Sequence, residues 1–538
     1  MATHEVLNQP PPLENINLFQ TDAALREAVA REGASWAADD LSRFGELLGR
    51  PEIIRLGFEA NENPPVLKTH DRFGNRIDEV DFHPSWYALM KVSVENGLHA
   101  APWKEAKPGA HVARAAKMFL MSQIEFGHLC PISMTYSVIP ALRRQPDLSA
   151  DWEPQIVSSV YDPRMAPPKQ KKGLLLGMGM TEKQGGSDVR ANTTQAVPVG
   201  KGGPGGEYAI TGHKWFCSAP MNDAFLILAQ APGGLSCFLL PRWKPDGTRN
   251  VFRIQRLKDK LGNRSNASSE IELENSFAWL VSEEGRGVPT IIEMVNHTRL
   301  DCVIGSSALM RQAFAQALHH DRHRSAFGRK LVDQPLMRNV LADLCLESEA
   351  ATLLTMRLAR AYDRSQEEGS FRRLATAISK YWICKRTPMH VAEALECLGG
   401  NGFVEESLMP RLYREAPLNS IWEGSGNVIC LDVLRAAMKE PESLEAVLKE
   451  IRLADEPRLN RHVDALLADL QALKTVDGEG LARRIVEKLA LSLQASLLVR
   501  HGRPAVADAF LRSRLEGDWG RAFGTLPAGV DVRAILDA

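Results

Sequence analysis

The chain has 538 residues, enough to bury a large core and to divide into three or four domains. Its 65 basic and 66 acidic residues leave a formal net charge of −1, so no global field points to a nucleic acid or a membrane. Eight cysteines (Cys130, Cys217, Cys237, Cys302, Cys345, Cys384, Cys397, Cys430) lie far apart without a CxxC pair, which fits reduced thiols in a cytoplasmic protein better than a disulfide framework or a zinc site. The N-terminus lacks the pattern of a signal peptide, and the apolar run Leu489 to Val499 is too short to span a bilayer, so no membrane partner is expected.

Residues 1 to about 20 contain Pro10, Pro11 and Pro12 and read as an extended arm, either disordered or packed on a neighbouring subunit. Helical patterns dominate from there to about 175. Val112 to Leu129 has helical spacing and is expected to end at Cys130-Pro131, where proline's missing amide stops a helix. Between 176 and 285 the pattern changes to short β-rich runs: Tyr208 to Phe216, Ala224 to Gln230, Leu235 to Pro241, Val251 to Leu257 and Ser269 to Leu273. Gly200 to Gly206 reads as a hairpin tip, and a compact antiparallel β domain is expected. Helical spacing returns after 286, where Leu341, Leu344, Ala351, Leu354, Leu358 and Ala361 form one stripe. Pro388 is expected to kink or interrupt its helix. The reading is a mainly α, α+β chain with four domains: 1–175 helical with the arm, 176–285 β, 286–440 a helical bundle, and 441–538 an additional helical domain.

Three motifs carry chemistry. Met180-Thr-Glu-Lys-Gln-Gly-Gly-Ser-Asp-Val189 follows a strand-like segment from Gly173 to Gly179; its paired glycines allow close backbone approach, and Thr181 and Ser187 supply donors. It is either a loop for a polar planar or anionic group or an ordinary Gly-rich turn. Gly212-His-Lys-Trp-Phe-Cys-Ser218 places aromatics before a hydroxyl, as a strand of the core or as a wall against a cofactor. In Ile421-Trp-Glu-Gly-Ser-Gly-Asn427, Glu423 is flanked by apolar residues and glycines, so it is either a partly desolvated base or a capping carboxylate. His319, His320, Asp321 and His323 include an i, i+4 histidine pair but no third ligand in a zinc pattern, and no metal is expected there.

In this order, and joined by Arg324-Ser-Ala-Phe-Gly328, Gln334, Leu398-Gly-Gly-Asn-Gly402 and Arg414-Glu-Ala416, the motifs resemble the acyl-CoA dehydrogenase superfamily over about residues 100 to 438. The resemblance implies an N-terminal α domain, a middle β-barrel-like domain, a C-terminal helical bundle and bound FAD. It implies that the flavin ring is wrapped by Met178, Gly179, Met180, Thr181 and Ser187 and by Phe216, Cys217 and Ser218, with Trp215 one residue off the family's aromatic register. Ile421 and Trp422 border the cofactor, and Ser425 and Asn427 take its pyrophosphate end. Arg324, Phe327, Gln334, Gly399 and Gly400 contact the FAD of a neighbouring subunit, which makes a homo-oligomer, a tetramer, part of the expectation. Glu423 matches the catalytic base, and Thr181, Ser187 and Arg299 are the expected acyl-CoA contacts. Asn296 stands where many members have an aspartate that fixes the thioester's arm, which implies weak dehydrogenase activity.

The N-terminal extension, the segment Leu257 to Ser268 and the added C-terminal region resemble one branch of that family, which responds to DNA alkylation, is weakly active on isovaleryl-CoA and binds double-stranded DNA through its C-terminal region. Residues 441–538 hold 14 Lys/Arg against 15 Asp/Glu, no polyanion-binding composition, but Leu481 to Arg521 holds eight basic against four acidic residues. Arg500, Arg503, Arg512, Arg514 and Arg521 are the expected phosphate contacts, against the plain alternative of an ordinary charged helical face.

Overall fold

The computed structural model describes residues 3–473 and 478–537. The chain packs as two compact units: Glu52–Lys107 with Ile124–Thr298, and Met1–Pro51 with Pro108–Gln123 and Arg299–Ala538. The boundaries cut across the linear order expected from sequence, because helix Ala110–Ser122 belongs with the C-terminal helices.

The first unit is built on β-strands. A hairpin, β1 (Val66–His70) and β2 (Arg76–Asp81), lies in a region read as helical; Asp71 caps its turn by accepting from the amides of Phe73 (2.8 Å) and Asn75 (2.9 Å). The two strands are short and largely solvated, so they carried no apolar alternation to read. The main sheet comprises β3 (Leu176–Gly179), β4 (Gln195–Pro198), β5 (Glu207–Ser218), β6 (Ala224–Ala231), β7 (Gly234–Pro241), β8 (Arg253–Leu257) and β9 (Ser268–Val281). Its order runs β3-β6-β4-β5-β9-β7, and β7 also pairs with β6, so the sheet closes on itself in the barrel-like form expected. It is not purely antiparallel, since β3 runs parallel to β6. The Gly200–Gly206 segment joins β4 to β5 as a hairpin tip, with Gly200, Gly202, Gly203 and Gly205 at positive φ. Tyr208, Ile210, Phe225, Ile227, Phe238, Leu240 and Leu280 fill the interior.

Pro131 does not end a helix. The preceding helix stops at Ser122, and Pro131 sits in the first turn of helix Leu129–Leu142, where no intrahelical partner exists for an amide.

The second unit is helical. The expected stripe on helix Pro335–Asp363 is buried at every position. Helix Gly369–Cys397 runs through Pro388 without interruption; buried Thr387, His390 and Val391 around it show that tertiary packing outweighs the roughly 3 kcal/mol a helical proline costs. Residues beyond 441 form helices Pro441–Arg452, Pro457–Ala472 and Ala482–His501 within this same unit. The N-terminal arm lies on its own chain: Asn8 exchanges hydrogen bonds with the backbone of Ser325 (2.8 Å each), and the Pro11 carbonyl meets His319 Nε2 at 2.8 Å. No described helix is long and apolar enough to cross a membrane, and no three described His, Cys, Asp or Glu residues are placed to hold a metal ion.

Candidate functional site

In the β unit the Met180–Val189 loop is anchored by one carboxylate. Glu182 is fully buried and pairs with Lys214 Nζ at 2.7 Å, while accepting from the amides of Thr193 (2.6 Å) and Thr194 (3.2 Å). Burial pushes this carboxyl up, but Lys214 and the threonine donors hold it down to about 2. Asn192 Nδ2 donates to the Met180 carbonyl (2.9 Å), and the Trp215 amide donates to the Thr181 carbonyl (2.8 Å). These ties fix the loop against β5 while Ser187 remains exposed and Thr181 half-buried. Gly186 packs so closely on Thr181 that a Cβ there would lie 2.5 Å from its Oγ1. Sequence reasoning named Thr181 and Ser187 and missed Glu182, although it lies inside the same motif.

β5 supplies the adjoining wall. Its register with β9 breaks between Lys214 and Cys217, a bulge that lets consecutive residues escape the strict in–out alternation. Trp215 is consequently half-buried and Phe216 is 47% exposed. Lys258 Nζ stands 3.2 Å from the Trp215 ring centre and 4.7 Å from that of Phe216. Cys217 turns into the core and burial lifts its thiol to about 12, so only its backbone can serve a ligand. Ser218 Oγ lies 3.3 Å from Ser268 Oγ and remains half-buried.

In the helical unit, Glu423 occupies the left-handed region at φ +59°, followed by Gly424 at φ +103°. For a residue with a Cβ this is a strained conformation that its surroundings must enforce. They do so through backbone oxygens. Arg299 Nε donates to the Glu423 carbonyl (3.0 Å) while its Nη1 holds Asp432 (3.0 Å). Lys380 Nζ donates to the carbonyls of Trp422 (2.8 Å) and Gly424. The Trp422 indole donates to Asn419 Oδ1 at 2.8 Å. Arg299 thus acts on the loop of the expected base through Nε and on Asp432 through Nη1.

Ser425 is the N-cap of helix Gly426–Lys439 and uses no side-chain capping bond, which leaves its hydroxyl and the first amides of a 14-residue helix available to an anion. Ile421 is 62% exposed beside it. Arg483, from the region beyond 441, donates to Asn427 Oδ1 at 2.8 Å, a partner not anticipated from sequence.

The residues expected to face a neighbouring subunit gather on the surface of this unit. Phe327 tops the hairpin of β10 (Ser325–Ala326) and β11 (Arg329–Lys330), at φ +53° and 99% exposed. Gln334 Nε2 braces that hairpin through the Ala326 carbonyl (3.1 Å), and Arg324 Nη1 donates to the Asn8 carbonyl (2.6 Å). Gly399, at φ +58° and ψ −140°, precedes exposed Gly400.

The five arginines expected to grip phosphates are mostly spent inside the protein. Arg514 is buried against Asp343 and Glu347, the latter at 2.9 Å. Arg500 pairs with Glu450 at 2.7 Å. Arg503 pairs with Glu349 and donates to the Ala534 and Ile535 carbonyls at 2.9 Å. Arg512 donates to the Ala528 carbonyl at 2.8 Å. Arg521 is exposed. Counting charge along the sequence treated all five as solvated, whereas acidic residues of other helices neutralise three of them.

Three family models match this chain: the adaptive response protein AidB N-terminal domain over residues 8–163, the acyl-CoA dehydrogenase middle domain over 177–276 and the acyl-CoA dehydrogenase C-terminal domain over 285–438. AidB of Escherichia coli is 47% identical over 96% of this chain and 95% of its own length. Acyl-CoA dehydrogenase family member 11 of Caenorhabditis elegans is 30% identical over 89% of this chain and 82% of its own. Among solved structures, Caenorhabditis elegans ACDH-11 in complex with an eleven-carbon CoA ester superposes with TM-score 0.86 at 27% identity, covering 96% of this chain and 94% of that one. The chain belongs to the acyl-CoA dehydrogenase family, and carries that family's fold together with the AidB-type N-terminal domain.

Proposed function

We propose that this protein is an FAD-dependent acyl-CoA dehydrogenase-type oxidoreductase that acts, weakly, on a short branched acyl thioester such as isovaleryl-CoA. The observation that carries the reading is the Glu423 loop, where a carboxylate is held in a left-handed conformation by cations on its flanking carbonyls. The chemistry of the chain suits FAD: two adjacent outward aromatics on a bulged strand suit a flavin ring, and a glycine-bearing loop with Thr181 and Ser187 suits its polar edge. The uncapped N-terminus of helix Gly426–Lys439, with Ser425, suits a pyrophosphate. FAD, when bound, supplies the hydride acceptor. Glu423 would take the α-proton of the thioester as general base, and Thr181 and Ser218 are the residues that would hydrogen-bond the cofactor's edge. A relative's complex with an acyl-CoA supports this substrate class.

A homo-oligomer, a tetramer, is part of the proposal: Phe327, Leu336 (83% exposed) and Phe403 (79%) are large apolar side chains left uncovered in the single chain, and Phe327 serves the FAD of a neighbour. So is a cytoplasmic location, in keeping with eight buried cysteines, none of them in a disulfide.

The AidB-type N-terminal domain, described as that of an adaptive response protein, favours a second role in the response to DNA alkylation, with duplex DNA as partner. With Arg500, Arg503 and Arg514 engaged internally, that contact falls to exposed residues such as Arg521. Anaerobic titration of the purified protein with isovaleryl-CoA tests the first reading; bleaching of the flavin band supports it, and an unchanged band across acyl-CoAs refutes it. A low-salt gel shift with duplex DNA tests the second, and no retarded band refutes it in favour of a dehydrogenase without a DNA role.

A further inference from the structure

Three successive carbonyls, those of Trp422, Glu423 and Gly424, each accept a hydrogen bond from a cationic side chain. Arg299 takes the middle one from helix Gly287–His323, and Lys380 takes the two outer ones from helix Gly369–Cys397. Lys380 is among the largest fully buried side chains of the molecule, with 1% of its surface exposed. A lysine is rarely buried so deeply unless its charge is satisfied. Here its partners are two peptide oxygens either side of a left-handed residue, so ordering that residue is what its burial achieves.

We infer that Lys380 is the positioning residue for the Glu423 base, its ammonium bridging the Trp422 and Gly424 carbonyls so that Glu423 keeps its left-handed conformation; this rests on the reading of Glu423 as the base. The geometry shows what the bridge adds to the Arg299 bond. A residue with a Cβ leaves the left-handed region readily by rotating the peptides on either side. Lys380 grips the one before Glu423 through the Trp422 carbonyl, Arg299 grips the one after it through the Glu423 carbonyl, and the second Lys380 bond pins the next peptide through the Gly424 carbonyl. Arg299 does not replace Lys380, because it leaves the peptide before Glu423 unheld and is itself tied to Asp432, which Arg373 shares at 2.9 Å. Releasing the bridge lets the loop relax and the carboxylate shift, and a displacement of about 1 Å at a reacting group costs on the order of 100-fold in rate.

The test is Lys380→Met in the full-length, FAD-loaded protein, with two readouts. Hydrogen–deuterium exchange of the 421–430 amides is expected to quicken at least ~10-fold, with the remainder of helix Gly369–Cys397 unaltered. The rate constant for flavin bleaching by isovaleryl-CoA is expected to fall about 100-fold, while the half-saturating acyl-CoA concentration stays within about threefold of wild type. Unchanged loop exchange overturns the clamp. A loosened loop with an undiminished bleaching rate overturns the positioning role. If wild-type protein is bleached by no acyl-CoA, the reading of Glu423 as base fails, and the exchange result still decides the clamp. Should Lys380→Met not fold, Lys380→Gln, polar but uncharged and one bond too short to reach both carbonyls, carries the same readouts.

Discussion

Lys214 and Lys380 are both buried lysines beneath a glycine-containing loop, and they hold their loops through different atoms. Lys214 grips the carboxylate of Glu182, so that side chain is consumed in building the loop. Lys380 grips the carbonyls flanking Glu423, so the loop is built from its backbone. A glutamate inside a functional motif is therefore not enough to mark a base. The two lysines differ in what they hold: Lys214 a carboxylate, Lys380 the peptide oxygens around one.

The comparison is broken most directly by exchanging each glutamate for glutamine. Glu423→Gln is expected to lower flavin reduction by acyl-CoA about 1,000-fold or more while FAD stays bound, as the loss of a general base does; retention of the wild-type rate in stopped-flow absorbance would remove Glu423 from the reaction. Glu182→Gln leaves Lys214 with an uncompensated buried charge, and a loss of about 3–5 kcal/mol in urea unfolding is expected, with weakened FAD retention. Unfolding at the wild-type midpoint would show that the pair does not anchor its loop.

A milder perturbation uses acid. Burial pushes Glu347 up, but Arg386 and Arg514 hold it down to about 2; Glu450, likewise buried, is held at about 2 by Arg357 and Arg500. Because both folded values lie below the ordinary 4.5, the stability they supply is complete above about pH 4.5 and is lost as pH falls toward 2. Thermal unfolding from pH 5 to pH 3 should show a falling Tm, and Glu347→Gln should flatten the fall. An equally steep fall in that variant would assign the loss to other groups.

The smallest expected effects concern DNA. Arg514→Ala should lower stability without selectively weakening duplex binding, since Arg514 is committed to Asp343 and Glu347. Arg521→Glu should weaken binding equally across sequences and reduce the salt slope by about one. Selective loss of binding in Arg514→Ala, at unchanged unfolding midpoint, would restore the reading from sequence.

What was legible followed from local pattern. The stripe on helix Pro335–Asp363, the strands β5 to β7 and the Gly200–Gly206 hairpin tip all carry short-range periodicity or turn chemistry. Glu423 was found because its neighbours form a recognisable run. Lys380 and Arg299 reach that loop from 43 and 124 positions away in sequence, and no local signal announces such a contact. The internal pairing of the arginines beyond 500 was hidden for the same reason: Asp343, Glu347 and Glu349, which neutralise two of them, lie on a helix more than 150 positions earlier. Pro131 and Pro388 failed because proline's effect depends on its place in a helix and on the packing around it, neither of which is written in the residue itself.

The central claim is that Glu423 is the base of a flavin-dependent oxidation. It is tested most directly by mixing the FAD-loaded protein with isovaleryl-CoA under anaerobic conditions and following the flavin band, wild type beside Glu423→Gln. The account predicts measurable bleaching in wild type and none on the same timescale in the variant. Equal bleaching in both, or none in either at saturating acyl-CoA, would contradict it.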